Sequence, residues 1–120
     1  MVIAEDQQGM RGLIRRLLEG NEDLEVVGEA TTGPEVLDRV AAETPAVLVL
    51  DLGLPDLDGE VILDRLQASH PELRIVVLSG QASGLIARSL RQRGADAVVE
   101  KGVSHWEAEL VAAVKGAPGG

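Results

Sequence analysis

The sequence predicts one α/β domain built around a parallel sheet. Short apolar runs alternate with segments of helical periodicity five times along the 120 residues. A strand of about 5 residues, a helix of about 12 and two connections of roughly 3 to 4 make about 24 residues per unit, so five units fill the chain. Right-handed crossovers then place helices on both faces of the sheet, and ligands of such sheets bind at the carboxyl ends of the strands.

Four of the apolar runs are continuous, which is typical of strands buried on both faces of a parallel sheet. They cover residues 2–4, 47–50, 75–78 and 97–99. A fifth run, at 24–30, mixes Val26 and Val27 with two glutamates and a glycine. We expect this fifth run to form an edge strand with one exposed side.

Apolar residues at i, i+3 and i+4 spacing predict a helix after each strand. The clearest helix has five such residues between Met10 and Leu18 and stops at Gly20. Others begin at 33–34, follow 58–59 as far as 70–71, and span 85–90 before ending near 94. Ser104 and Glu107 have the S-x-x-E spacing of a capping box, so we expect the last helix to open at Ser104.

Composition excludes several classes of function. Acidic residues outnumber basic ones by 20 to 11, and the net charge of -9 repels nucleic acid and anionic membranes. The chain has no cysteine and only 2 histidines, so neither a zinc site nor a histidine-dependent triad is expected. Its one aromatic residue, Trp106, implies an aliphatic core and leaves no platform for stacking bases.

The two ends of the chain give expectations about location and domain organisation. No run of 18 apolar residues occurs, and the N-terminus is acidic where a signal peptide would be basic. We therefore expect a cytoplasmic protein without a membrane partner. Residues 117–120 have linker composition, which predicts a domain over 1–116 followed by a tail or by the start of a missing output domain.

Charged and hydroxyl side chains follow four of the predicted strands. They are Glu5, Asp6, Asp51, Ser79 and Lys101. Because the carboxyl ends of parallel strands meet at one edge of the sheet, we expect these side chains to converge. Three carboxylates in one cleft favour a hard divalent cation such as Mg2+, while a hydroxyl and an ammonium suit phosphoryl oxygens. The set predicts phosphoryl transfer onto Asp51 as the nucleophile.

Each of these residues taken singly is more typical of a turn, a helix cap or a charged surface than of a catalytic site. The phosphoryl-transfer interpretation depends on the agreement of four strand ends. A haloacid-dehalogenase-like phosphatase also uses a strand-end aspartate, but it needs a second aspartate two residues later, where this chain has Gly53.

From Val2 to about Gly116 the sequence resembles a receiver domain from the response regulators of two-component signalling. The matching motifs are the acidic pair in VIAEDQQGMR and the segments VLVLDLGLPDLDG, IVVLSG and GADAVVEKG. The stretch LEVVGEATTGPEVLDRV resembles receivers that precede a LuxR-type helix-turn-helix domain. The resemblance implies the flavodoxin-like fold, with five parallel strands in the order 2-1-3-4-5.

The resemblance also implies roles for the acidic residues. Asp51 would accept the phosphoryl group from the histidine of a kinase. Asp6 would bind Mg2+ directly and Glu5 mostly through water. Asp51 and the backbone carbonyl of Gly53 would supply the other protein ligands.

Further roles are implied at the remaining strand ends. Ser79 and Lys101 would bind the phosphoryl oxygens. Gly53 and Gln81 lie two residues beyond the acceptor and the hydroxyl residue, where family members tune hydrolysis of the acyl phosphate. A receiver catalyses its own phosphorylation and dephosphorylation, so we expect no enzyme acting on an external substrate.

The implied partners follow from the same resemblance. They are a cognate histidine kinase, a second copy of the chain in a homodimer, and a C-terminal helix-turn-helix domain that binds DNA and controls transcription in the full-length protein. The receiver itself is not expected to contact nucleic acid.

Three positions depart from the family pattern. Glu5 replaces the usual aspartate and is one methylene longer. Val98 stands where receivers usually carry a tyrosine or phenylalanine whose rotamer couples to the hydroxyl residue, and Gly102 stands where a cis proline is common. An alternative therefore stays open, a pseudo-receiver that keeps the fold and acts by protein contact alone.

Two surface features have more than one interpretation. Trp106, at the start of the last helix, is either a packing residue, which is favoured, or part of a dimer surface. Arg11, Arg15 and Arg16 on the first helix are expected to form its solvated face, where kinases also dock in related proteins.

Overall fold

Strands and helices alternate strictly along the chain in a computed structural model that describes residues 1–81 and 84–116. In chain order the elements are β1 Val2–Ala4, α1 Gln8–Glu19, β2 Gly28–Ala30, α2 Gly33–Glu43, β3 Val47–Asp51, α3 Gly59–Ser69, β4 Arg74–Ser79, α4 Gly84–Gln92, β5 Ala97–Glu100 and α5 Trp106–Val114. The predicted fivefold alternation is confirmed. Residues 117–120, where the tail was expected, lie outside the described part of the chain.

The five strands form one parallel sheet in the order β2-β1-β3-β4-β5, which confirms the order implied by the resemblance. Ile3 of β1 pairs with Glu29 of β2 on one side and with Val49 of β3 on the other. The two strands that follow β1 in the sequence, β2 and β3, therefore lie on opposite sides of it. In sheets of this kind, such a reversal opens a cleft at the carboxyl ends of the two central strands.

Two separate apolar layers cover the faces of the sheet, as expected from right-handed crossovers. On one face, helices α2, α3 and α4 bury side chains such as Val36, Ile62 and Leu90 against Leu48 and Leu50 of β3. On the other face, α1 and α5 pack on Val49, with Ile14, Leu18, Trp106 and Leu110 at the centre. Alternate residues of β3 thus point to opposite layers.

Trp106 is a packing residue. Only 7% of it is exposed, and it belongs to the buried layer beneath α1 and α5. The favoured interpretation is therefore confirmed.

The edge strand β2 is shorter than predicted. The sequence suggested 24–30, whereas the strand covers Gly28–Ala30. β1 begins at Val2, which pairs with Gly28, so the residues before Gly28 have no strand of the sheet to pair with. The Val27 N–H donates instead to the Met1 carbonyl at 2.8 Å. Val26 is buried and Val27 is 41% exposed, which fits the expected one-sided burial.

Two other local predictions were wrong. The strand predicted at 97–99 is not buried on both faces, because β5 is the second edge of the sheet and only Val99 is fully covered. The capping box at Ser104 does not form. His105 is the N-cap of α5, with a left-handed φ of 67°, and no side chain caps the helix there.

The α1 face is less solvated than predicted. Arg11 and Arg15 both form ion pairs with Glu29 of β2, and the side chain of Arg11 is only 19% exposed. Arg16 is exposed, as expected. The helical periodicity of α1 does not predict these ion pairs, because they depend on which side of the helix packs beside β2 in the tertiary fold.

None of the helices in the described ranges has the length and apolar character needed to cross a membrane.

Two helical glycines should respond to alanine in opposite ways. A Cβ on Gly33 would lie far inside van der Waals contact with the Leu57 Cβ and 3.2 Å from its Cα, whereas a Cβ on Gly12 meets nothing within 4 Å. We expect Gly33→Ala to lower the free energy of unfolding by about 1–3 kcal/mol and Gly12→Ala to raise it by about 0.5–1 kcal/mol. Urea unfolding measures both, and equal effects in the two variants would contradict the packing of Leu57 on α2.

Candidate functional site

The polar residues singled out at the strand ends meet at the carboxyl edge of the sheet. β3 ends at Asp51 and β4 ends at Ser79, while Glu5 directly follows β1 and Lys101 directly follows β5. The backbone continues the sheet here, because the Glu5 N–H donates to the Ala30 carbonyl at 3.0 Å and the Lys101 N–H donates to the Ser79 carbonyl at 2.8 Å. The parallel ladder thus places all four residues beside one another.

Three carboxylates form the negative centre of this edge. Glu5, Asp6 and Asp51 each offer an oxygen within 4.8 Å of the others. Glu5 is fully buried and Asp51 is 7% exposed, whereas Asp6 is exposed. An oxygen-only set that combines buried and exposed carboxylates fits a hard divalent cation that keeps part of its water shell.

Lys101 supplies positive charge directly to this cluster. Its Nζ lies 3.3 Å from Glu5 Oε1 and 3.4 Å from Asp51 Oδ2. Burial acts to lower the pKa of Lys101, but the charges of Asp51 and Glu5 outweigh it and raise the pKa above its ordinary value. The ammonium therefore stays charged beside Asp51.

The pKa of Glu5 is raised well above its ordinary value. Burial, together with the hydrogen bond and negative charge of Asp51, raises the pKa of Glu5 to about 7. The Gln7 N–H, which donates to Glu5 Oε2 at 3.2 Å, and the Lys101 charge act in the opposite direction. Without a cation, the cluster thus favours a proton on Glu5 near neutral pH.

An open pocket of about 520 Å³ borders Asp51 and is also lined by Gly53, Ser79 and Gln81. Asp51 Oδ1 accepts the Gly53 N–H at 3.0 Å, which orients the carboxylate. The Ser79 hydroxyl donates to the Gln81 carbonyl at 2.5 Å and accepts the Gln81 N–H at 3.1 Å. The hydroxyl proton of Ser79 is therefore held by the Gln81 carbonyl, within the turn that borders the pocket.

The two other departures from the family pattern lie within β5 and directly after Lys101. Val98 is half-buried and packs with the layer beneath α2, α3 and α4. Gly102 has a φ of 82°, a left-handed conformation that the ring of a proline excludes. The loop after Lys101 thus follows a path that favours glycine and cannot accommodate proline at this position.

Sequence reasoning missed Arg11 as a part of the site's framework. Its Nη1 donates to the backbone carbonyl of Glu5 at 3.0 Å, while its Nε binds Glu29. The spacing of Arg11 from the acidic pair did not by itself predict this contact. The contact depends on the position of the first turn of α1 beside the end of β1, which only the structure shows.

Comparison with known families identifies the domain. A family model for the response regulator receiver domain matches residues 1–115. The chain belongs to this family. It is thus a receiver of the two-component type, in agreement with the resemblance drawn from its motifs.

The relatives of this receiver carry different activities. It is 38% identical over 101 residues to the virulence-factor transcription regulator BvgA of Bordetella pertussis, covering 84% of this chain and 48% of BvgA. In an alignment of 128 positions it is 38% identical to a protein-glutamate methylesterase/protein-glutamine glutaminase of Myxococcus xanthus, covering 99% of this chain and 36% of the relative. The chain therefore spans half or less of the length of these curated relatives.

Among solved structures, a LuxR-family two-component response regulator from Aurantimonas sp. is similar to the receiver with a TM-score of 0.88. The two are 27% identical, and the match covers 96% of this chain and 81% of the other. This similarity agrees with the helix-turn-helix subfamily suggested by the segment around β2.

The metal-free receiver should lose stability as pH rises through the titration of Glu5. The pKa of about 7 in the folded chain lies above the ordinary 4.5, so the folded chain binds this proton more tightly than the unfolded chain. The contribution of this proton to the free energy of unfolding is complete below pH 4.5 and is lost as pH rises through about 7. In urea unfolding with a chelator present, we expect the free energy of unfolding to fall across this window and to fall less in Glu5→Gln.

The exposed acid Glu22 provides the control for this measurement. Glu22→Gln should follow the wild-type pH dependence. Parallel curves for the wild type and Glu5→Gln would show that Glu5 does not retain its proton in the folded chain.

Proposed function

We propose that this receiver accepts a phosphoryl group on Asp51 from the phosphohistidine of a kinase, with Mg2+ at the acidic cluster. The observation that carries the proposal is the position of Asp51. Its carboxylate borders an open pocket, with Lys101 Nζ at 3.4 Å and the carboxylates of Glu5 and Asp6 in the same cluster. The space that a phosphoryl group would enter is thus surrounded by the Asp51 nucleophile, the Lys101 ammonium and the two acids proposed to bind the metal.

In the proposed step an Asp51 carboxylate oxygen forms a bond to phosphorus while the phosphorus–nitrogen bond of the donor breaks. The histidine nitrogen leaves with the electron pair of that bond, and an acyl phosphate remains on Asp51. The Gly53 N–H holds one carboxylate oxygen during the approach, at 3.0 Å in the present geometry. Lys101 offers its ammonium to a phosphoryl oxygen that develops charge.

The proposed metal ligands are Asp6 directly, Glu5 mostly through water, Asp51, and the backbone carbonyl of Gly53. When bound, Mg2+ neutralises charge on the carboxylates and on the phosphoryl oxygens. Glu5 is buried and engaged with Lys101, whereas Asp6 is exposed, and this difference supports the division of roles.

Ser79 is proposed to bind a second phosphoryl oxygen after its hydroxyl leaves the Gln81 carbonyl. Gln81 lines the same pocket, as does Gly53, so both positions are proposed to control how easily water reaches the acyl phosphate. Receiver-catalysed phosphorylation and dephosphorylation both fall within this proposal.

Output is proposed to be transcription, through a helix-turn-helix domain that follows a receiver covering 1–116. The support is the similarity to BvgA, of which this chain covers 48%, and to the LuxR-family regulator. A histidine kinase, a homodimer and a cytoplasmic location belong to the same proposal. With Val98 in place of an aromatic ring, the conformational change is proposed to pass through Ser79 and its turn.

Asp51 should be the sole phosphoacceptor. Incubation with Mg2+ and acetyl phosphate, followed by intact mass measurement, should show one added phosphoryl group in the wild type and none in Asp51→Asn. Asp56→Asn is the matched control, since Asp56 is an exposed acid of the same loop and asparagine tolerates its left-handed φ of 72°. Labelling of Asp51→Asn at the wild-type level would remove the assignment, and an unlabelled wild type would favour the pseudo-receiver.

Asp6 should contribute more to Mg2+ affinity than Glu5. Asp6 is the exposed carboxylate of the cluster, while Glu5 already has Lys101 and the Gln7 N–H as partners. We expect Asp6→Asn to weaken Mg2+ binding on the order of tenfold, equivalent to about 1.4 kcal/mol, and Glu5→Gln to weaken it less. Amide-shift titration measures both affinities, and the reverse ranking would make Glu5 the direct ligand.

A further inference from the structure

The side chain of Arg11 joins three parts of the structure beside the acidic cluster. Arg11 lies in α1 and only 19% of its side chain is exposed. Its Nε donates to Glu29 Oε1 at 2.7 Å, and its Nη1 donates to the backbone carbonyl of Glu5 at 3.0 Å. One guanidinium therefore links α1, β2 and the turn that carries both acids of the first strand end.

The peptide groups of this turn are held on both sides. The Glu5 N–H donates to the Ala30 carbonyl of β2 at 3.0 Å, and the Glu5 carbonyl accepts from Arg11. The Arg11 N–H in turn donates to the Gln7 carbonyl at 2.9 Å, which closes the first turn of α1. Two of these three contacts involve Arg11, one on each side of Asp6, at Glu5 and at Gln7.

We propose that Arg11, itself held by Glu29, is a positioning residue for the acidic turn, so that Mg2+ affinity depends on this pair although neither side chain belongs to the carboxylate cluster. The inference rests on the proposed function, in which Glu5 and Asp6 hold the metal. Arginine suits the task because its planar guanidinium presents donors in fixed directions to two acceptors at once. The ammonium of a lysine has no such fork.

Electrostatics alone predicts the opposite effect of removing Arg11. The guanidinium is positive, so its loss would lessen the repulsion of a divalent cation and tighten binding. Positioning predicts weaker binding, because the turn loses the contact that fixes its carbonyl. The sign of the change in affinity therefore separates the two explanations.

The test is a Mg2+ titration of the full chain in which the amide shifts of Glu5, Asp6 and Gly53 report binding. We expect Arg11→Lys and Arg11→Gln each to raise the dissociation constant about tenfold, the scale seen when a residue that orients a metal ligand is removed. Arg16→Gln removes the same charge from an exposed position of the same helix, and it should bind Mg2+ as tightly as the wild type or more tightly.

The pair can be tested by a double-mutant cycle. Glu29→Gln should weaken binding in the same direction, and the double variant Arg11→Gln/Glu29→Gln should lose no more affinity than the larger single loss, because Glu29, which also pairs with Arg15, is proposed to act on the acidic turn through Arg11. Thermal unfolding of every variant sets a temperature at which all of them are folded. A loss of affinity at that temperature is then not a loss of folded protein.

Phosphorylation by acetyl phosphate gives an independent readout. The Mg2+ concentration for half-maximal rate should rise with the dissociation constant in the Arg11 variants, while the rate at saturating Mg2+ stays within about twofold of the wild type. Unchanged or tighter Mg2+ binding in the Arg11 variants of a chain that still accepts phosphoryl overturns the inference alone. A wild type that neither binds Mg2+ nor accepts phosphoryl overturns the proposed function, and the inference with it.

Discussion

Repulsion between carboxylates is the constraint on which the site depends. The strand order places the ends of β1 and β3 side by side, and this brings oxygens of Glu5, Asp6 and Asp51 within 4.8 Å of one another. Folding must therefore overcome an unfavourable interaction between like charges. Lys101 offsets part of it, and the raised pKa of Glu5 removes another part by retaining a proton.

The surrounding structure keeps these charges together through backbone contacts. The Gly33 N–H donates to the Pro55 carbonyl at 3.0 Å, so the start of α2 holds the loop that follows Asp51. On the other side, Arg11 holds the carbonyl of Glu5. If the cluster binds a cation as proposed, ligands held in this way would lose little conformational entropy on binding.

The sequence predicted the fold well because hydrophobic periodicity reflects which surfaces are buried. It also predicted which side chains meet, since parallel strands bring their carboxyl ends to one edge. Its errors were local or tertiary. The pairing of β2 stops where β1 begins, the start of α5 is set by the left-handed His105 rather than by Ser104, and the Arg11–Glu29 pair depends on how the consecutive elements α1 and β2 pack on each other. None of these follows from a pattern within one segment.

The placement of Trp106 makes the two faces of the sheet optically different. The chain has 1 tryptophan and no tyrosine or phenylalanine. That indole lies in the layer beneath α1 and α5, beside residues such as Ile14 and Val99. Intrinsic fluorescence of this protein therefore reports the packing of that layer alone, while the layer beneath α2, α3 and α4 has no chromophore and can rearrange without a spectral signal.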